Sequence, residues 1–259
     1  MLILATQKAS EITERLTPPL VAIQERAADI RKLVHFNSEL IENVLHGFSE
    51  YSKAYRANDI LIDNQFVFTD GLFDSKAEEI INSASPEEWI TNYYFSNNEL
   101  HFQELMCRCK ESLLSETEIN LFNECMQAYQ LKNYHLACIG LFALADWQLT
   151  VYSENQTTSV VQRLNNIYEN LIAEKPISEY DARFYFIFDS MCFWGEDKNG
   201  QVLKCRPLYQ NSDFKKQETP FLNRHWTMHG RTKRDFSRLD VLRILQWMDG
   251  LMYLTDNKY

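Results

Sequence analysis

Glycine and proline are scarce, seven and six in 259 residues. That is too few for a turn-rich all-β protein, and no Gly-rich loop is present to cradle a dinucleotide. The longest near-apolar run, Leu136 to Leu149, is interrupted by Asp146 and falls short of a membrane span. The opening Met-Leu-Ile-Leu-Ala is too short for the apolar region of a signal peptide, and Lys8 and Glu11 follow at once. The six cysteines lie mostly within apolar patterns and show no secreted-type spacing. Cys107 and Cys109 form C-x-C, but no second Cys/His pair stands at zinc-site spacing. G-x-S-x-G, H-E-x-x-H and Walker-type motifs are absent as well. These absences lead to the expectation of a cytoplasmic protein with reduced thiols, no metal, no cofactor and no membrane association.

What is present favours helices. The apolar share of 45%, with 13% aromatic, excludes a disordered chain. The length suits one large domain or two modest ones. A stripe at 3-4 spacing runs through Leu20, Ile23, Ala27, Ile30, Val34, Asn37, Ile41, Val44, Phe48, Tyr51 and Tyr55. It predicts a continuous helix roughly 55 Å long. Such a seam suits either a two-stranded coiled coil or packing along the rest of the chain. The pattern weakens from Asn58 to Asn97, which reads as a poorly regular connector with an extended segment near 60–69 and a helix start at Ser85-Pro86. Helices return after Asn98. Ser115 to Glu118 is a capping box, and 134–153 reads as a very apolar helix, central in a bundle. An aromatic helix reaches about Trp194, and Gly195 to Asp213 reads as a basic loop. Thr219 and Pro220 start a short helix that Gly230 stops, and Ser237 to Asp240 cap the last one. The fold class is all-α: a helical bundle over 98–259, preceded by an N-terminal helical region and connector over 1–97.

Charge is unevenly spread. The chain carries a net −10, yet Lys198 to Arg243 holds 11 Lys/Arg against 4 Asp/Glu, a local +7, which leaves −17 elsewhere. One concentrated basic segment in an acidic chain suits an anionic partner met at one place, or a solvated basic face that balances an acidic one.

Inside that segment lies Asn223-Arg224-His225-Trp226-Thr227-Met228-His229-Gly230-Arg231-Thr232-Lys233-Arg234. Cleavage of RNA without a metal needs a base for the 2′-hydroxyl proton, an acid for the leaving 5′-oxygen and a fixed cation for the phosphorane. Histidine titrates near neutrality and suits the proton transfers. Arginine binds phosphoryl oxygens through its planar fork. Five residues on an α-helix turn about 500°, so Arg224 and His229 do not share a face. They converge only near a helix end or across a dimer interface.

Arg224-His225-x-x-x-His229 is similar to the R-x4-6-H motif, with a polar residue after the arginine, of the HEPN (higher eukaryotes and prokaryotes nucleotide-binding) domains. Tyr129 to Asp146, through Lys132-Asn133-Tyr134 and Leu141-Phe142, resembles that family's helical hairpin, whose second helix often carries an acidic residue directed at the motif. The resemblance covers roughly 100–259. It implies a helical bundle, usually a homodimer, acting as a metal-independent endoribonuclease in a toxin–antitoxin or phage-defence setting. RNA or a nucleotide would be its ligand, with a regulatory protein as a further partner. It also implies Arg224 and His229 as catalytic residues, Asp146, Asn223 and His225 in support, and Arg231, Lys233 and Arg234 on the substrate backbone. Some members carry a tyrosine two residues after the histidine, where this chain has Arg231. Other readings stand beside it: a non-catalytic nucleotide- or RNA-binding module of the same fold, or a helical protein-interaction module.

Overall fold

The structure, a computed structural model, describes residues 52–69, 72, 76–154, 159–174, 182–197, 200–210 and 212–256. The heptad stripe from Leu20 to Tyr51 lies outside them. Residues 51–259 form one compact unit.

That unit is predominantly helical. In order come α1 over 52–63, α2 (Ala77–Asn82), α3 (Pro86–Phe95), a 3-10 turn at Asn97–Glu99, α4 (Leu100–Glu111), α5 (Glu116–Gln130), α6 (Tyr134–Ser153), α7 (Val160–Glu174) and α8 (Ala182–Met191). An antiparallel hairpin of β1 (Cys192–Asp197) and β2 (Gly200–Cys205) follows, then α9 (Arg224–Met228) and α10 (Arg238–Asp256). The helix starts carry the caps their sequences call for. Ser85 accepts the Glu88 N–H at 3.3 Å ahead of Pro86. Ser115 accepts the Glu118 N–H at 3.2 Å while its hydroxyl donates to the Glu118 carboxylate at 2.7 Å. Asn133 caps α6 by accepting the Leu136 N–H at 3.3 Å.

The most enclosed element is α10. Its residues from Asp240 to Leu251 are buried on every face. It packs against α4, α6 and α8. Two of its carboxylates are paired: the Arg108 fork takes both oxygens of Asp249, at 2.8 and 3.1 Å. Asp240 receives Arg234 at 2.9 Å and Arg243 at 3.2 Å. Helices α5 and α6 cross closely at Gly140, where a Cβ would fall 2.3 Å from the Cys125 sulfur.

Four local expectations are corrected. The segment 58–97 is not a loose connector and 97/98 does not separate two cores. Phe66, Val67 and Phe68 are buried, the Val67 N–H donates to Gln246 on α10 at 3.3 Å, and α2 and α3 are helical. The aromatic helix ends at Met191, and the expected basic loop begins as the hairpin. A lone two-stranded pair depends on tertiary packing, here of Cys192 and Cys205 into the core, and so leaves little alternation to read. Thr219 and Pro220 do not start a helix; α9 begins at Arg224 because the Asn223 side chain takes the capping bond. Finally, α6 is 20 residues long and, by length and composition, long and apolar enough to cross a membrane. In this fold half of its apolar stretch is buried inside the protein, and Asp146 near its middle is ion-paired.

Candidate functional site

Within the basic segment, His225, Trp226, His229 and Arg231 gather around one aromatic ring, that of Phe214. Asn223 is buried and acts as a staple: its amide donates to the carbonyls of Pro207 and Gln210 at 2.7 and 2.8 Å, and its oxygen accepts from the Trp226 N–H and the Ser212 hydroxyl, both at 3.2 Å. With every donor and acceptor engaged, Asn223 holds the 206–212 stretch against α9 and has nothing left to offer a ligand. The Arg224 N–H donates to the Leu208 carbonyl at 2.8 Å. Gly230 then reverses the chain at φ +62°, a left-handed conformation that favours glycine.

Arg224 points to α6. Its Nε donates to Asp146 Oδ2 at 2.9 Å, and Nη2 donates to the same oxygen. Both side chains are partly buried, 24% and 17% exposed. Asp146 Oδ1 is enclosed and has no hydrogen-bond partner. Behind it the guanidinium of buried Arg163 donates to the Asp146 carbonyl at 2.9 Å and to the Thr150 hydroxyl at 2.6 Å, steadying this turn of α6. Of the five N–H donors of Arg224, Asp146 takes two, and the rest remain for a second acceptor.

His225, His229 and Arg231 gather at Phe214. The ring centroids of His225 and His229 lie 4.5 and 5.3 Å from that of Phe214, and the two imidazoles lie 4.8 Å apart, edge to face. The Arg231 guanidinium sits 4.3 Å over the same ring, and Trp226 closes the far side at 5.1 Å. His225 Nδ1 accepts the Ser212 N–H at 3.0 Å, so its neutral ring carries the proton on Nε2. Burial, then the neighbouring His229 and Arg224, pushes its pKa below the ordinary histidine value. His229 is exposed at the end of α9.

The expected backbone-binding cations separate into two kinds. Arg231 and Lys233 are exposed, and no ion pair involves either among the described residues. Their loop is anchored by Glu218, which accepts the Thr232 hydroxyl and the Lys233 N–H, the latter at 2.8 Å. Arg234 instead turns inward to Asp240, which is fully buried. That pairing makes Arg234 a structural cation and removes it from the ligand-facing set.

Sequence reasoning brought Arg224, His225, His229 and Asp146 to one region, and the structure sets them there in two groups. One is the Arg224–Asp146 pair, the other the His225–His229–Arg231 cluster. No hydrogen bond, ion pair or ring contact joins Arg224 to His229 among the described residues, as the 500° argument requires. Phe214, Ser212 and the exposed Lys215 and Lys216 were missed. An aromatic followed by two lysines inside the basic segment was the available signal. Among the described residues no three His, Cys, Asp or Glu side chains cluster as metal ligands. Compared with known proteins, the chain matches no family model, no curated protein and no solved structure.

Proposed function

We propose that the chain is an endoribonuclease that needs no metal and cuts RNA by internal attack of the 2′-hydroxyl. The observation that carries the reading is the cluster on Phe214. It holds two imidazoles 4.8 Å apart beside the Arg231 guanidinium over the ring, at the solvent-facing end of α9 and next to an arginine with donors to spare. His229 takes the 2′-hydroxyl proton as the 2′-oxygen bonds to phosphorus. The same imidazole, once protonated, returns that proton to the departing 5′-oxygen. The products are a 2′,3′-cyclic phosphate and a 5′-hydroxyl. Charge on the phosphorane is met by the free N–H groups of Arg224 and by the neutral Nε2–H of His225. Asp146 orients Arg224, while Arg231 and Lys233, with Lys215 and Lys216, hold the flanking phosphates. The resemblance to the HEPN domains supports the same assignment. It also supports a homodimer, in which two such ends meet, and a cytoplasmic defence or toxin–antitoxin role under a regulatory protein.

The test is cleavage of a labelled mixed RNA in EDTA by the wild type, Arg224→Ala and His229→Ala, with analysis of the new ends. Cyclic-phosphate ends from the wild type and none from either variant are expected, with the His229→Ala melting temperature unchanged. Retained cleavage by folded His229→Ala overturns the assignment. RNA bound by the wild type without new ends would instead select a binding module.

A further inference from the structure

The base of the hairpin holds two cysteines that the ribonuclease reading does not use. Cys192 opens β1 and Cys205 closes β2, and the strand register sets them directly opposite each other. The ladder makes this a non-hydrogen-bonded position: the Arg206 N–H donates to the Met191 carbonyl at 3.1 Å, one step outside the pair. In an antiparallel pair the hydrogen-bonded and non-hydrogen-bonded positions alternate, so the position next to 191/206 is of the second kind. There the Cα atoms approach to about 4.5 Å and the side chains stand on one face at their closest. A disulfide spans Cα atoms about 4.4–6.8 Å apart, so the two backbones need no movement to carry one.

The surroundings agree with the register. Both residues are buried, Cys192 at 0% and Cys205 at 6% exposure, on the side of the hairpin that faces the core. Both are free thiols. The Cys192 thiol donates to the Phe188 carbonyl at 3.6 Å, the weak bond of a sulfur with no better partner. Burial raises the pKa of both thiols, that of Cys205 to about 12; the neighbouring Cys205 adds to the rise at Cys192, and Arg163 offsets part of it at Cys205. Each thiol has one arginine that offsets part of this rise, Arg206 at Cys192 and Arg163 at Cys205, and a thiolate forms only when the hairpin base opens.

We propose that Cys192 and Cys205 are a redox site, a dithiol that closes to a cross-strand disulfide when the protein meets a peroxide. The Cys205 thiolate attacks one peroxide oxygen, the O–O bond breaks and water departs, leaving a sulfenic acid on Cys205. The Cys192 sulfur then displaces the hydroxyl as a second water and forms the S–S bond. Two thiols and one hydrogen peroxide thus yield one disulfide and two waters, the peroxide taking both electrons. Enclosure of both sulfurs makes the first step slow and dependent on local opening.

The bond would tie the last turn of α8 to the stretch that seats the candidate site. Arg206 already links these parts, its Nε to the Asp189 carbonyl and its Nη2 to the Asp189 carboxylate, both at 2.7 Å. Just beyond it, Pro207, Leu208 and Gln210 supply the carbonyls that hold Asn223 and Arg224. The disulfide thus reinforces the support of α9 covalently, and the proposal stands whether or not the protein cleaves RNA.

The test is peptide mapping of the full chain after exposure to hydrogen peroxide, with free thiols alkylated during unfolding. The expected product is a peptide pair joined through Cys192 and Cys205, two hydrogens lighter than its parts, lost on reduction and absent from Cys192→Ser. The oxidised wild type should also melt several degrees higher, because the bond restricts its unfolded chain, and the shift should reverse on reduction. Recovery of both cysteines as alkylated thiols, their separate conversion to sulfinic acids, or their capture by the exposed Cys107 overturns the proposal. Mapping of the wild type decides the matter alone should Cys192→Ser fail to fold.

Discussion

Two of the arginine–carboxylate pairs among the described residues, Arg108–Asp249 and Arg224–Asp146, are built differently. Arg108 and Asp249 meet fork to fork, each carboxylate oxygen with its own donor, and Asp249 is 5% exposed on the most buried helix. Arg224 and Asp146 meet at one oxygen only, with the other enclosed and unpartnered and both side chains still in touch with solvent. The first arrangement is complete and serves stability. The second differs on the carboxylate side: both arginines give two donors, but those of Arg224 fall on one oxygen and leave the other without a partner. A buried carboxylate oxygen without a donor is a feature that asks for an explanation, and under the proposed function the unused donors of Arg224 meet a phosphate beside it.

Urea unfolding gives the widest separation between the two pairs. Arg108→Ala abandons a buried carboxylate and should lose about 3 kcal/mol. Arg224→Ala abandons one that water can reach and should lose only about 1 kcal/mol. Equal losses would erase the distinction between a structural and a recruitable pair. A second measurement concerns the aromatic seat. Phe214→Ala frees His229 and Arg231 from their shared ring, and cleavage should fall about tenfold to a hundredfold through lost positioning. Phe214→Tyr, which keeps the ring, should retain most of it. Loss of activity in both, or in neither, would deny Phe214 a positioning role.

The smallest effect is in pH dependence. With the His225 pKa lowered in the folded state, the unfolded chain binds more protons between that value and the ordinary one near 6.5. Stability from this group is therefore complete above the ordinary histidine range. It drains away as pH falls through that range and stops falling once the folded ring protonates. His225→Gln should flatten this slope, measured as melting temperature between pH 7.5 and 5. An unchanged slope would show that His225 does not sit neutral against the Ser212 amide.

Much of this arrangement could be read in the chain. The caps at Ser85 and Ser115 depend on one side chain and a backbone three residues away, and such local chemistry is written in consecutive residues. Asp146 was legible because a charge inside an apolar helix must find a partner. Arg234 was misjudged for the opposite reason: nothing in its neighbourhood separates it from Arg231, and only the burial of Asp240 draws it inward. Phe214 and Ser212 were overlooked because they reach the site from a segment without a regular period. The hairpin escaped notice because its two strands are held by a core that they do not themselves compose.

The sequence by itself determined the helical class, the main caps, the glycine turn at 230 and the crowding of cations and imidazoles between Lys198 and Arg243. All of these follow from propensities, spacings and charges that act within a few residues. Which helix lies at the centre, which arginines are consumed by buried carboxylates, and which ring gathers His225, His229 and Arg231 were decided only by the tertiary structure. Those outcomes turn on desolvation, and whether a charged group keeps its water depends on elements that can lie a hundred residues away.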